Sequence, residues 1–213
     1  MKGRGRFLVL EGIDGAGTTT QAGYIQQWLE EHGIRAIVTR EPSEGPIGAT
    51  IRQALRGRLR LPVVAGSGEL SSETIALLFA ADRLDHIEAE IKPALQRGIW
   101  VISDRYVQSS IAYQGTLIDL GWVEEINRYS IAADLTLFLR IEAATAMQRI
   151  GSSRVQTDIF ETRDLLERIA GGYDRYYAGN PEAAVILDGS APLAEVSAAV
   201  CGALAQAFPE LRQ

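Results

Sequence analysis

Short apolar runs alternate with longer amphipathic stretches along this chain. Phe7-Leu8-Val9-Leu10 is a continuous apolar run, the pattern of a strand buried on both faces of a parallel sheet. A glycine-rich turn follows, then a helix from about Thr19 to His32, ending near Gly33. Ala36 to Thr39 reads as a second strand, Trp100 to Ser103 as a third, ending at Asp104, Leu135 to Leu139 as a fourth and Val185 to Leu187 as a fifth. Helices are expected over Pro46 to Arg56, Ser71 to Gln96 and Leu193 to Ala207. In the long one, Ile75, Leu78, Phe79 and Asp82 recur at helical spacing, and Pro93 should bend or interrupt the last turns. Gly57 to Gly68 is rich in Gly, Pro and Arg and reads as a loop, with Arg56, Arg58 and Arg60 a solvated basic face rather than a site. The polar stretch Gly151 to Asp158, between helices, is where a mobile lid would sit. Strands alternating with helices predict an α/β fold: a five-stranded parallel sheet flanked by helices, in three layers. One domain is expected over 1–213, with a small lid segment at about 149–161.

Composition narrows the function classes. A chain of 213 residues that is 46% hydrophobic and 23% charged can bury a sizeable core. The formal charge of −6 argues against a partner that is a nucleic-acid polymer, but a basic pocket on an acidic protein can still take a small anion. Cys201 is the lone cysteine, which excludes an internal disulfide and reads as a buried, inert thiol. No apolar run approaches the roughly 20 residues of a membrane span. The basic start, Met1 to Arg6, leads only into a short strand-like run ending in Glu11, so no signal peptide is expected and the protein reads as cytoplasmic.

The strongest local signal is Gly12-Ile13-Asp14-Gly15-Ala16-Gly17-Thr18-Thr19. It follows a strand and opens a helix, which is the setting of a P-loop. Glycines let the backbone turn tightly and gather its N–H groups around phosphate, and the helix N-terminus favours negative charge. Thr19 holds the hydroxyl position that binds Mg²⁺ in such loops. The pattern asks for Gly-Lys-Ser/Thr, and here Thr18 stands where the lysine would be. A threonine can donate a hydrogen bond there but carries no charge.

A second motif runs from Asp104 to Gly115, Asp-Arg-Tyr-Val-Gln-Ser-Ser-Ile-Ala-Tyr-Gln-Gly. It begins at the C-terminal end of a strand, where open α/β sheets place their ligands. An acid and an arginine there can serve Mg²⁺ and phosphate, although an Asp-Arg pair alone would read as a local ion pair. The Ser, Tyr and Gln that follow offer donors and acceptors to a sugar and a base. With Thr39-Arg40-Glu41-Pro42, Leu78-Phe79-Ala80-Ala81-Asp82-Arg83 and Ile91-Lys92-Pro93-Ala94-Leu95, this motif resembles the thymidylate kinase family of nucleoside-monophosphate kinases, over roughly Phe7 to Asp188.

The resemblance implies transfer of the γ-phosphoryl group of ATP to dTMP, with Mg²⁺, in a homodimer. It implies that the loop Gly12, Ile13, Asp14, Gly15, Ala16, Gly17, Thr18 and Thr19 binds ATP, and that Thr19 and Asp104 serve the metal. Phe79 would stack on the thymine and Arg83, one turn on, would bond the base edge. A core phenylalanine, and a salt bridge from Arg83 to Asp82 or Asp85, are the plainer alternatives. Arg40 and Arg105 would hold the acceptor phosphate. Ser109, Ser110 and Gln114 match the acceptor segment, with Ser110 and Gln114 at base-contacting positions. Tyr113 would lie beneath a deoxyribose and Asp14 near its 3′-hydroxyl. The family places a catalytic arginine either in the P-loop or in the lid. No arginine stands at 13–16, so Arg154, with Arg149 beside it, is implied. Asp14, Asp104 and Arg105 complete the implied catalytic set. The loop Gly189 to Pro192 should lie against adenine. The uncharged Thr18 also leaves open a weakly active or inactive nucleotide-binding relative, compensation by a lid arginine or Arg105, or a kinase for another nucleoside monophosphate.

Overall fold

The apolar run near the chain's start forms the centre of the sheet. The computed structural model describes residues 3–59, 68–153 and 163–212. Strands β1 (Phe7–Glu11), β2 (Ala36–Arg40), β3 (Trp100–Asp104), β4 (Leu135–Arg140) and β5 (Val185–Asp188) pair in the order β2-β3-β1-β4-β5, all parallel. β1 and β3 end on Glu11 and Asp104 as expected, while β2, β4 and β5 each run one residue past their expected ends, onto the charged Arg40, Arg140 and Asp188. An apolar-run reading stops at a charge, but the ladder is made by backbone groups and continues to the tip of the sheet.

Helix α1 (Thr18–Glu31) follows the phosphate-loop turn, and α2 (Pro46–Leu55) starts on its proline, where a missing N–H does no harm. Helix α3 (Ser72–His86) is capped by the Ser71 side chain, which accepts from Thr74 N at 3.2 Å. The long helix expected to Gln96 is continuous but changes register: Ile87–Ile91 is a π turn, and α4 (Lys92–Gln96) resumes the α form. The irregularity therefore lies upstream of Pro93 itself. The proline has no N–H for the Ala89 carbonyl, which sits within the widened turn.

Helices α5 (Val107–Tyr113), α6 (Leu120–Ile126), α7 (Ala143–Ser153), α8 (Arg163–Gly179) and α9 (Leu193–Ala207) complete the described elements, with short 3₁₀ turns between some of them. Alternate residues of β1 and β3 feed two cores. Leu8, Leu10 and Ile102 pack with Ile25, Leu29 and Tyr173 on one face, while Phe7, Val9 and Val101 pack with Ile87 and Ile91 on the other. Cys201 is only half-buried, less than expected, and its thiol is shifted upward by partial burial and by Glu31. Residues 60–67, including Arg60, lie outside the described residues, as do 154–162 of the expected lid.

Candidate active site

Neighbouring strand tips bring the two motifs together. Leu10 pairs with Asp104 across β1 and β3, so the turn after β1 and the segment after β3 leave the sheet side by side. The turn needs glycine at two places: Gly15 and Gly17 have φ of 83° and 95°, the left-handed region that side chains rarely adopt. At Gly15 close packing adds to this, since a Cβ there would stand 2.9 Å from the Ala146 carbonyl oxygen.

The phosphate loop opens onto a cavity of about 820 Å³. Asp14 to Gln21 line one wall, Arg40, Glu41, Asp104 and Arg105 another, and Arg149 with Gly189 to Pro192 a third. Thr19 Oγ1 donates to Asp104 Oδ2. The other carboxylate oxygen, Asp104 Oδ1, is buried without a hydrogen-bond partner among the described residues. A hydroxyl and a carboxylate with a spare oxygen at the mouth of a phosphate loop are hard donors, suited to Mg²⁺. Among the described residues no group of three His, Cys, Asp or Glu side chains could cage a metal.

A second cavity of about 170 Å³ adjoins the first, and Asp14, Glu41 and Arg105 line both. Phe79, Arg83, Ser109, Ser110, Tyr113 and Gln114 also line the second cavity. Arg105 Nη2 donates to Asp14 Oδ1 at 2.6 Å, and its guanidinium lies over the Tyr113 ring, 4.9 Å from the centroid. Its backbone is left-handed, φ 75°, a conformation costly to a non-glycine residue. The N–H of Arg105 donates to Leu10 O at 2.9 Å and its carbonyl accepts from Ser103 Oγ at 2.7 Å, which fixes that conformation. The Asp14 N–H donates to Tyr113 Oη at 3.2 Å. Burial pushes the Tyr113 hydroxyl far above its ordinary value, although Arg105 pulls the other way, so it stays protonated.

Arg83 is 1% exposed and its guanidinium is nearly saturated. Nε donates to Glu41 Oε2 at 2.8 Å, Nη2 to Tyr106 O and Ser110 Oγ at 3.1 Å each, and Nη1 to Asn127 Oδ1. Its ionic partner is thus Glu41, not Asp82 or Asp85. Asp82 points elsewhere, accepting from Ser43 N at 2.7 Å and Ser43 Oγ at 2.6 Å. Gln114 Oε1 is buried without a hydrogen-bond partner among the described residues. Arg40 is exposed, on the large cavity's rim, and pairs with Glu44 at 2.9 Å. Arg154 lies outside the described residues.

Sequence reasoning passed over Glu11. It is fully buried at the tip of β1. Oε1 accepts from Tyr106 N at 2.9 Å and Ser109 N at 3.2 Å, and Oε2 from Ser109 Oγ at 2.6 Å and Tyr173 Oη at 2.7 Å. The carboxylate therefore joins the root of the phosphate loop to the start of α5 and to α8. Burial raises its carboxyl above the ordinary value, against the hydrogen bonds of Ser109 and Tyr173. A charge directly after four apolar strand residues was the available signal. Glu41 and His86 were likewise unassigned; His86 Nδ1 lies 3.3 Å from Glu41 Oε1 and Nε2 lies 2.7 Å from Thr39 Oγ1.

A glycine turn between a parallel strand and a helix, with acid and hydroxyl at its mouth, defines a P-loop nucleotide-binding α/β protein. A family model described as thymidylate kinase matches residues 10–200. A thymidylate kinase of Hahella chejuensis is 38% identical over 210 residues, 95% of this chain and 97% of that protein. One from Clavibacter michiganensis subsp. michiganensis is 35% identical over 203 residues, 92% of each. A probable thymidylate kinase of Thermococcus kodakarensis is 38% identical over 181 residues, 84% of this chain and 88% of that protein. The chain belongs to the thymidylate kinase family.

Proposed function

We propose that this protein transfers the γ-phosphoryl group of ATP to dTMP, giving ADP and dTDP for dTTP synthesis. The observation that carries the reading is the pair of adjoining cavities sharing Asp14, Glu41 and Arg105, one under a phosphate loop and one beside an aromatic ring. Two nucleotides can meet there phosphate to phosphate. The acceptor is already an anion, so the protein needs charge and position more than a strong base.

Backbone N–H groups of Gly15 to Thr19 hold the donor phosphates. Arg105, set by Asp14 and its constrained backbone, receives the acceptor phosphate, with Arg40 at the rim. Phe79 faces the base, and Ser110 and Gln114 lie along the same cavity. The unpartnered Gln114 oxygen supports a pyrimidine carrying an N–H donor. Tyr113, fixed under Arg105, floors the sugar site. Thr19 and Asp104 would hold Mg²⁺, which when bound neutralises phosphate charge. Arg154 is assigned to the transferring phosphoryl group, in a lid segment. No described helix is long and apolar enough to cross a membrane, and we place the reaction in the cytoplasm. Leu77 and Leu84, two turns apart and exposed on α3, support a homodimer through helices.

ADP release measured with Mg-ATP and a panel of monophosphates tests the reading. dTMP should be the best acceptor, with dUMP next. A preference for a purine monophosphate would refute the base site.

A further inference from the structure

Thr18 leaves the donor site without the charge its loop pattern calls for. The side chain is 6% exposed, and a Cβ on Gly12 would stand 3.3 Å from Thr18 Cγ2, so its methyl is packed inside the turn. Three cations of the described residues line the same cavity: Arg40, Arg105 and Arg149. Arg40 is exposed at the end of β2 and pairs with Glu44. Arg105 is bound to Asp14 and lines the acceptor cavity as well.

Arg149 reaches the loop from the donor side. Helix α7 is seated directly on the turn, because a Cβ on Gly15 would meet Ala146 O at 2.9 Å and Ile150 Cγ1 at 3.3 Å. Arg149 is three residues past Ala146 on the same helix face. Its Nη1 lies 3.5 Å from Gly15 O and donates to Gly189 O at 2.9 Å, while Nη2 donates to Ser190 O at 3.2 Å. The guanidinium thus spans the gap between the phosphate loop and the β5–α9 loop, held by carbonyl oxygens. Phosphate oxygens are stronger acceptors for its planar fork than neutral carbonyls.

We propose that Arg149 supplies at the donor phosphates the positive charge that Thr18 does not. The inference rests on ATP being the donor, as read above. The test is a double-mutant cycle of Arg149→Gln and Thr18→Lys, read in Mg-ATP binding by calorimetry without acceptor and in dTMP turnover. Arg149→Gln should weaken the kcat/KM for ATP by about 100-fold or more, the scale of one lost charge-stabilising donor. In the Thr18→Lys background the same change should cost less than about tenfold. The KM for dTMP should stay within about threefold in all four proteins. Equal losses in both backgrounds overturn the proposal, because a lysine in the loop cannot repair a strut between α7 and the β5–α9 loop. Should Arg149→Gln fail to fold, Arg149→Lys takes its place. With the charge kept and the fork lost, its deficit should again shrink beside Thr18→Lys, and an undiminished deficit overturns the proposal. A protein that couples the two sites in ATP binding but does not phosphorylate dTMP keeps this inference and refutes the acceptor reading. One that phosphorylates dTMP with additive losses does the reverse.

Discussion

Replacing Glu11 by leucine removes an acceptor that four donors share. Two of them, Tyr106 N and Ser109 N at 2.9 and 3.2 Å, are backbone groups at the start of α5 with no side-chain freedom to find new partners. Each orphaned buried N–H costs about 1–3 kcal/mol. Ser109 Oγ and Tyr173 Oη keep each other, at 2.8 Å. Glu11→Leu should therefore destabilise by about 2–6 kcal/mol, reduced somewhat because a buried carboxylate is no longer desolvated. Glu11→Gln keeps an acceptor for both N–H groups and lets the hydroxyls turn to accept, so it should cost about 1 kcal/mol. A pH signature separates charge from shape. The folded protein holds the Glu11 carboxyl above its ordinary 4.5. Between that value and the raised one, the folded state binds the extra proton, so stability falls as pH rises. The contribution is complete below 4.5 and lost through the raised folded value. Urea melts of wild type and both variants at pH about 5 and about 8 are the assay, and the disadvantage of Glu11→Gln should shrink at the higher pH. Equal destabilisation by leucine and glutamine, or a wild-type-to-Gln difference that ignores pH, would refute the assignment.

Phe79→Ala should raise the KM for dTMP by about 2–10-fold, the worth of one stacked ring, and leave the KM for ATP unchanged in steady-state kinetics. Arg83→Met leaves Glu41 buried without its guanidinium and should destabilise by about 3–5 kcal/mol in urea melts, with part recovered on adding Glu41→Gln. Gly48→Ala drives a Cβ to 2.0 Å from the Ser43 carbonyl oxygen, a backbone atom. It should lower stability by more than about 2 kcal/mol, or leave the protein insoluble, whereas Gly23→Ala, whose Cβ meets nothing within 4 Å, should be tolerated in the same melts.

The layers of the fold were legible because burial on both faces writes itself as apolar runs. Phe7 to Leu10 and Trp100 to Ser103 announce their strands without help from distant residues. The charged tips Arg40, Arg140 and Asp188 were harder to see, since they owe their strand geometry to neighbours' backbones. The π turn at Ile87–Ile91 has no periodic signature of its own, because a single widened turn is too short to establish a period. In the site, the motif residues Asp14, Arg105, Tyr113 and Gln114 could be named from spacing and resemblance. Their mutual contacts could not, because 91 and 99 residues separate the partners Asp14–Arg105 and Asp14–Tyr113. Glu41 stood in a recognised segment, yet its grip on Arg83 depends on how β2 and α3 pack.

The register of β1 against β3 acts as a ruler for the chemistry. The phosphate-loop turn and the Asp104 segment hang from hydrogen-bonded strands whose axes lie about 4.8 Å apart, so their separation is inherited from peptide groups that every residue carries. On the proposed reading, side chains at the mouth can be exchanged, as lysine for threonine, while the place where two phosphates meet stays put. Drift in such a loop alters how strongly charge is met there and leaves the meeting point itself unmoved.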